Sequence, residues 1–514
     1  MVKMEGIFKI MKIKKITALT FLFCLIFNII FTAGCKGENP KNENEKAQND
    51  PQGNTAGFTE ENESVESSKY TANYLPEANY GGHEFRMVAP VGYENSENLL
   101  ANAEEETGDT IIDAIYKRNR LIEERYNIKF RQIDVNDYMA LTSTFTKSVK
   151  SGSDDFDLCM MISRDAWAQA LTGTVVPVNK LPYIDISQPW YSHDVNDEIT
   201  INGKLYFAYS DECLNMFGSA LCVLFNKKMV ENMALDNMYE LVNKGTWTAD
   251  KFFGLAKTAA SDIDGDGIMN ENDRFGIISQ CDMLFPCFWV SSGIKTVSKN
   301  AEDFLVFTGD NEKIYNILEK VYSNLFTGEK IYFDSFTERK FAEEERNFTK
   351  SQFENNQGLF YVAGVGNVPA LRAMDTDFGI LPFPKYDESQ TKYYSRVVDG
   401  WIYCVPNYTP DLERTSVIME SLAVESKNIT VPAYFETALR TKYSRDNESQ
   451  EMLDIIHANR TMDLGDTFYM TPVRDIYMNV LNAKKNNFAS AVEKAVNTVN
   501  KALQKANDAA LALE

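Results

Sequence analysis

Between residues 84 and 161 the chain changes its hydrophobic period twice, and this rhythm limits the available folds more than any other feature. Glu84-Phe85-Arg86-Met87-Val88-Ala89-Pro90 reads as a strand that ends at a Pro-Val-Gly loop. Asp109 then opens a helix carrying Ile111, Ile112, Ile115, Ile122 and Tyr126 on one face. Asn127-Ile128-Lys129-Phe130 starts a second strand, and residues 156–161 form a third after the Ser151-Gly152-Ser153 turn. Strands separated by helices cannot be hairpins, so they are expected to form βαβ units and a largely parallel sheet. Ligands of such sheets bind beyond the carboxyl ends of the strands, which directs attention to the loops there.

The pattern repeats later in the chain. Leu221-Cys222-Val223-Leu224-Phe225 begins a second α/β stretch. It includes a helix at 249–260, capped by Thr248, with Phe252, Leu255, Ala256 and Ala259 at helical spacing. The chain ends in a long helix whose stripe of Val492, Val496, Val499 and Leu503 is core rather than a coiled-coil seam. No repeat of solenoid or propeller period is present. A body of roughly 440 residues exceeds what one core normally holds, so two lobes are expected.

The first 69 residues are of a different kind. Lys12, Lys14 and Lys15 precede an apolar run at 16–31, which stops at Thr32-Ala33-Gly34-Cys35. A basic start, a short apolar stretch and small residues at its end make an export signal. Its ending on Ala-Gly-Cys resembles the lipobox of bacterial lipoproteins, with Thr32 where those proteins usually carry leucine. The resemblance implies that residues 1–34 are removed and that Cys35 is lipidated. Residues 35–69 are rich in Asn, Glu, Lys, Gly, Ser and Gln, with Phe58 and Val65 almost the only sizeable apolar side chains after the cysteine. Such a segment buries too little surface to offset its ordering entropy and is expected to be a flexible tether. The body would then sit at the extracellular face of a membrane, held by lipid.

Charge and cysteine content narrow the classes further. The net charge is −22, and the signal's five lysines (3, 9, 12, 14, 15) against Glu5 contribute +4, leaving −26 without it. An acidic body argues against nucleic acid and against lying flat on anionic lipid. Cys24 falls in the signal; Cys159, Cys213, Cys222, Cys281, Cys287 and Cys404 show no CxxC spacing and read as small buried thiols. Sequence does not choose a disulfide among them.

Several segments then resemble, in order and spacing, bacterial extracellular solute-binding lipoproteins of the carbohydrate-transport type, relatives of maltose-binding protein. They are Asp113-Ala114-Ile115-Tyr116-Lys117-Arg118-Asn119, Pro189-Trp190-Tyr191 and Asn202-Gly203-Lys204-Leu205-Tyr206. Leu224-Phe225-Asn226-Lys227-Lys228 and Gly245-Thr246-Trp247 follow. Phe378-Gly379-Ile380-Leu381-Pro382-Phe383-Pro384-Lys385 and Lys442-Tyr443-Ser444-Arg445-Asp446 complete the series. The resemblance covers nearly the whole body from Gly82 onward. It implies an α/β, two-lobed periplasmic-binding-protein-like fold of type II, with a ligand cleft between lobes and hinge crossings. The first lobe would comprise 80–212 plus 385–430 and the second 213–384 plus 431–514. It also implies capture of a carbohydrate for the permease subunits of an ABC importer, by a monomer and without a chemical step.

The most specific local motif is 262–273, Asp-Ile-Asp-Gly-Asp-Gly-Ile-Met-Asn-Glu-Asn-Asp. Oxygen donors Asp262, Asp264, Asp266, Asn270 and Asp273, with the Ile268 carbonyl and Gly267 at the sharp turn, match an EF-hand calcium loop. Calcium takes six to eight oxygens, which this set approaches. A strand-like run at 275–278 follows the loop, so half an EF-hand clamping a helix-to-strand turn is expected, with a structural calcium ion.

Catalytic motifs are scarce. His83, His193 and His457 are the three histidines; none lies in HExxH, and each reads as a surface or hydrogen-bonded residue. There is no GxSxG elbow and no Walker loop. A glycosidase using two distant carboxylates stays open as an alternative, since such pairs need no set spacing; so does a surface adhesin. Sugars present apolar C–H faces between hydroxyls, so a sugar receptor offers aromatic platforms beside polar hydrogen-bonders. The strand-end rule selects Tyr93 after the first strand, and Arg164, Asp165 and Trp167 after the third. It adds Phe285 and Trp289 after the strand at 275–279, and the hinge crossings that the resemblance implies add Asp211 and Ser219 on the first, at 203–225, and Asp399 and Trp401 on the return, at 381–405. Trp190 and Trp247 read as packing residues. After the strand at 359–362 the chain has Ala363-Gly364-Val365-Gly366 where the maltose-binding relatives place tryptophan, so the stacking pattern differs.

Overall fold

Strand β1 (His83–Pro90) pairs in parallel with β2 (Ile128–Val135) and β3 (Leu158–Ile162) in the computed structural model, which describes residues 70–92, 100–334, 345–371, 373–435 and 446–512. Two crossover helices make this pairing: α1 (Thr110–Tyr126) and α2 (Tyr138–Ser151). The Asp109 carboxylate caps α1 by accepting from the backbone N–H groups of Ile111 and Ile112, a contact worth about 1 kcal/mol. Ile111, Ile115, Ile122 and Tyr126 are buried against the sheet, as their spacing predicts. The third strand starts two residues later than the pattern suggests. The side chain of Asp157 is buried and accepts from the backbone N–H of Arg86 at 2.8 Å and from its Nε at 3.1 Å, so a side-chain clamp precedes the ladder. From the end of β3 the chain runs directly into α3 (Ser163–Ala170).

A second sheet is built from β4 (Leu221–Asn226), β5 (Phe275–Ser279), β8 (Tyr332–Asp334), β9 (Gly358–Gly364) and β10 (Phe378–Leu381), in the order β10-β4-β9-β5-β8. Strands β5, β8 and β9 run parallel, and β4 is antiparallel to β9 and β10. Helix α4 (Ala249–Ala259) packs on β5, and its cap, Thr248, accepts from the backbone N–H of Lys251. Helix α5 (Cys281–Val290) follows β5, and a hairpin of β6 (Val297–Lys299) and β7 (Leu305–Phe307) comes after it.

The return from β10 passes through β11 (Ser395–Arg396) to β12 (Trp401–Cys404), which completes the first sheet in the order β12-β3-β1-β2. Helix α6 (Leu412–Glu425) packs on α1, whereas α7 (Asn447–Ala458) packs on β10, so the chain changes layer again after residue 425. Two short ties hold these passages together: β11 pairs in parallel with β13 (Arg460–Thr461), and Ala220 bridges Val397. The final helix, α8 (Phe488–Ala512), buries Val492, Val499 and Leu503 and covers β7. Trp190 and Trp247 are buried, each with its indole N–H satisfied, by Glu420 Oε1 at 3.0 Å and the Pro382 carbonyl at 2.9 Å. All six body cysteines are buried. No helix among the described residues is long and apolar enough to cross a membrane. Cys35 and the tether lie outside the described residues.

Candidate functional site

Register brings the ends of β3 and β12 together. Trp401 stands opposite Ile162, and the backbone N–H of Ser163 donates to the Gly400 carbonyl at 2.8 Å. Gly400 is required by close approach: a Cβ there would lie 2.6 Å from the Tyr209 ring. This pairing sets the N-terminus of α3 against the turn before β12. Ser163 Oγ donates to Asp399 Oδ1 at 3.2 Å, and Arg164 Nη1 forms an ion pair with Asp399 Oδ2. Asp165 accepts from Thr142 Oγ1 on α2 at 3.2 Å. Burial pushes the Asp399 carboxyl up to about 6, against the opposing pull of Arg164 and Ser163. Four of the residues expected from the sequence, Arg164, Asp165, Asp399 and Trp401, thus meet at the carboxyl edge of the first sheet.

The ties that hold this edge are stronger than the sequence indicates. Arg396 on β11 is fully buried and donates from Nε and Nη2 to Asp466 at 2.6 and 2.9 Å. Its Nη1 reaches the carbonyls of Asp282 and Met283 at 3.0 and 3.3 Å, in the first turn of α5. Burial opposes the guanidinium charge, but the Asp466 carboxylate outweighs it and holds the Arg396 pKa above its ordinary value. At the carboxyl ends of β5 and β9 lies a small cavity of about 60 Å³ whose lining includes Gln280, Met283, Tyr361, Gly364 and Asn367. Gln280 and Asn367 are polar strand-end residues that sequence reasoning missed. Applying the same loop rule to β9 would have found Asn367, three residues past the glycine that ends that strand.

Other expected contacts are placed elsewhere. Phe285 and Trp289 lie on α5 rather than in a loop, and both are buried in the second core. Trp289 packs on Tyr477, and Phe285 on Phe326 and Tyr332. The reason is the run from Cys281 to Val290, which beyond Asp282 in its first turn is apolar on every side and therefore forms a buried helix. Trp167 is buried as well: its ring stacks on Phe468 at 4.9 Å and its Nε1 donates to the Tyr469 hydroxyl at 3.3 Å. Asp211 is occupied by Lys427 at 3.0 Å, and Ser219 Oγ donates to Asn215 at 3.0 Å. Tyr93 lies outside the described residues. His457, expected at the surface or hydrogen-bonded, is buried edge-on against Phe217 and Phe435. Neither of its ring nitrogens has a hydrogen-bond partner among the described residues, and burial, with Arg460 nearby, lowers its pKa to about 3. A neutral imidazole packed in this way serves as an aromatic ring.

The 262–273 loop joins α4 to β5, the helix-to-strand turn read from the sequence. Carboxylate oxygens of Asp262, Asp264 and Asp273 lie within 4.8 Å of one another. Gly267 has φ of +81°, a left-handed conformation that favours glycine at the sharp turn. Asp262 accepts from the N–H groups of Gly265 and Gly267 at 2.7 and 2.8 Å, which closes the loop on its first ligand position. Asp273 is buried and accepts from Asn270 and Ile263 N–H, in that order of effect, which lowers its pKa. Asp264 is raised. The Asp266 N–H favours its anion, but desolvation and the carboxylates of Asp266, Asp273 and Asp262 outweigh that bond. Asp266 accepts from the Ile268 N–H at 2.7 Å, and the Ile268 carbonyl accepts from Asn270 Nδ2 at 2.9 Å. Three converging carboxylates with hard oxygen donors suit a calcium ion.

No protein-family model matches the chain, and no curated protein matches it in sequence. Solved structures do match its fold. A cyclo/maltodextrin-binding protein in complex with maltotetraose superposes with a TM-score of 0.55 at 12% identity, covering 82% of this chain and 98% of the other. An ABC substrate-binding protein of Listeria monocytogenes in complex with cycloalternan gives 0.52 at 12% identity, covering 82% and 99%. A sugar transporter protein of Rhizobium etli in an open conformation gives 0.52 at 14%, covering 84% and 100%. At these identities the likeness establishes the fold, which is the two-lobed one of periplasmic binding proteins.

Proposed function

We propose that this chain is a carbohydrate receptor, of the solute-binding type, that serves an ABC importer. One observation carries the reading. It is supported by a fold that matches sugar-binding proteins over about four-fifths of the chain, and by Arg164, Asp165, Asp399 and Trp401 lying at the strand ends where ligands of such sheets bind. An ion pair beside a partly exposed indole can hydrogen-bond sugar hydroxyls and cover one C–H face. Closure of the lobes over the sugar is the signal read by the permease, as ligand shifts a population between open and closed states. There is no chemical step. The protein acts as a single chain, fixed to the extracellular face of the membrane by lipid on Cys35 and the 35–69 tether. The 262–273 loop holds one structural calcium ion through Asp262, Asp264 and Asp273, with Asp266, Asn270 and the Ile268 carbonyl completing the oxygen set.

A calorimetric screen of maltotetraose, cycloalternan and a wider oligosaccharide panel tests the receptor reading. Saturable binding of one glycan, recovered unchanged after prolonged incubation, is the expected result. Released reducing ends would replace the receptor with a glycosidase, and binding to no soluble glycan would refute carbohydrate capture. For the anchor, Cys35→Ser should release the body from the membrane fraction or leave the signal attached. A correctly cleaved, membrane-bound variant would refute lipidation at that residue.

A further inference from the structure

Residues 70–80, between the tether and β1, form a strap across the first layer, and its bonds fall on residues where the chain leaves that layer. Asn428 clamps Tyr70 from both sides: the Tyr70 N–H donates to its Oδ1 at 3.0 Å, and its Nδ2 donates to the Tyr70 carbonyl at 2.9 Å. Four residues on, the Tyr74 hydroxyl donates to Glu420 of α6. That carboxylate is fully buried and also accepts from Trp190 Nε1 at 3.0 Å and the Tyr191 hydroxyl at 2.5 Å. Beyond it, the N–H of Tyr80 donates to the Tyr126 carbonyl at 2.9 Å and seats the strap at the end of α1.

Asn428 lies in a π-helical turn, Ser426–Thr430, which directly follows α6 at the start of the passage to the second layer. Its neighbour Lys427 pairs with Asp211, on the approach to β4, at 3.0 Å, and its Nζ lies 5.8 Å from the centroid of the Tyr70 ring. The start of the strap therefore touches one passage between layers directly and reaches a second through Lys427. Tyr70, Ala72, Leu75, Ala78 and Tyr80 pack against the core, and an open pocket of about 520 Å³ lies beside them, lined in part by Leu75, Pro76, Arg125, Tyr126 and Glu425. A short surface segment held by side-chain bonds beside an open pocket is an element that can detach without unfolding the core.

We propose that the strap is a hinge brace, whose docking through Tyr70 and Tyr74 stabilises the interlobe arrangement seen here and whose release shifts the lobes toward another. Docking and lobe movement are then linked, so whatever pulls or frees the preceding segment biases the hinge, and lobe closure changes strap occupancy by the same factor. The brace follows from the fold and stands whether or not the ligand is a sugar.

The test uses the full chain with spin labels at two exposed positions, Lys129→Cys on β2 and Lys257→Cys on α4, the six native thiols among the described residues being buried. Asn428→Ala and Tyr74→Phe are compared with the parent by electron–electron double resonance and by hydrogen exchange of residues 70–76. Exchange in the strap should rise at least tenfold, and the interlobe distance distribution should shift or broaden in both variants. Tyr74→Phe keeps the ring and guards against a folding defect. Unchanged exchange would mean that these bonds do not hold the strap. A loosened strap with unchanged distances would mean that it does not brace the hinge. Either result overturns the proposal.

Discussion

Replacing Asp466 with alanine should be among the most damaging single changes outside the two cores. The carboxylate accepts two N–H bonds from Arg396, at 2.6 and 2.9 Å, and neither side chain has measurable exposure. Without it the guanidinium keeps the carbonyls of Asp282 and Met283 at 3.0 and 3.3 Å but loses the carboxylate it is bonded to. Breaking one side of a buried pair typically costs about 3–5 kcal/mol, because the remaining charge is stranded away from water. With roughly 2–4 °C of Tm per kcal/mol for units of 150–250 residues, the transition of the parts that this pair ties together should fall by about 10 °C. Differential scanning calorimetry of the parent, Asp466→Ala and the double variant Arg396→Met plus Asp466→Leu separates the causes. The double variant removes both charges and keeps apolar volume, so most of the loss should return. A shift under about 2 °C in the single variant, or an equal loss in the double, would refute the stranded-charge argument.

Calcium should raise Tm by several degrees, since ion at a hundredfold excess over Kd adds about 2.7 kcal/mol to the folded state; Asp264→Ala plus Asp266→Ala should abolish the shift, and identical melts in calcium and chelator would remove the ion from the account. Trp401→Ala should weaken binding of the identified glycan about tenfold, roughly 1.4 kcal/mol, with little loss of stability. Trp289→Ala should instead destabilise by about 3–5 kcal/mol, being core, and urea melts beside binding isotherms separate the two. The pH dependence has a definite sign. Asp399 is raised from 3.8 to about 6 by burial, so its contribution favours the folded state below pH 4 and is lost as pH rises through 6. That loss approaches 3 kcal/mol at 1.36 kcal/mol per pKa unit, and Asp399→Asn should flatten the stability profile over pH 4–7 relative to the parent. Parallel profiles would show that Asp399 is not the group responsible.

Local chemistry made much of this protein readable from its residues. Asp109 and Thr248 cap helices where their side chains face free N–H groups, and the 262–273 spacing forms a tight loop in which three of its carboxylates converge. These features depend on neighbours within a few residues, so the order of residue types is enough to place them. The strand-end rule put Arg164 and Asp165 at the edge of the first sheet because a sheet's direction is already set by its βαβ connections, whereas Asp399 and Trp401 came from the return crossing that the resemblance implies. What it could not decide was which aromatic rings stay uncovered. Trp167 and Phe468 are far apart in the chain, and only the path of the residues after β13 lays one ring on the other. Phe285 and Trp289 lie where a loop was expected, but the run from Met283 to Val290, apolar all round, became a buried helix. The Arg396–Asp466 pair, the neutral buried His457 and the strap's hold on Asn428 likewise join residues distant in sequence. Capping and turn formation are decided by local hydrogen bonds, whereas burial is decided by whatever the rest of the chain brings to cover a side chain. For that reason the sequence alone determined the elements and the loops at the strand ends, and tertiary packing alone decided which side chains there are covered.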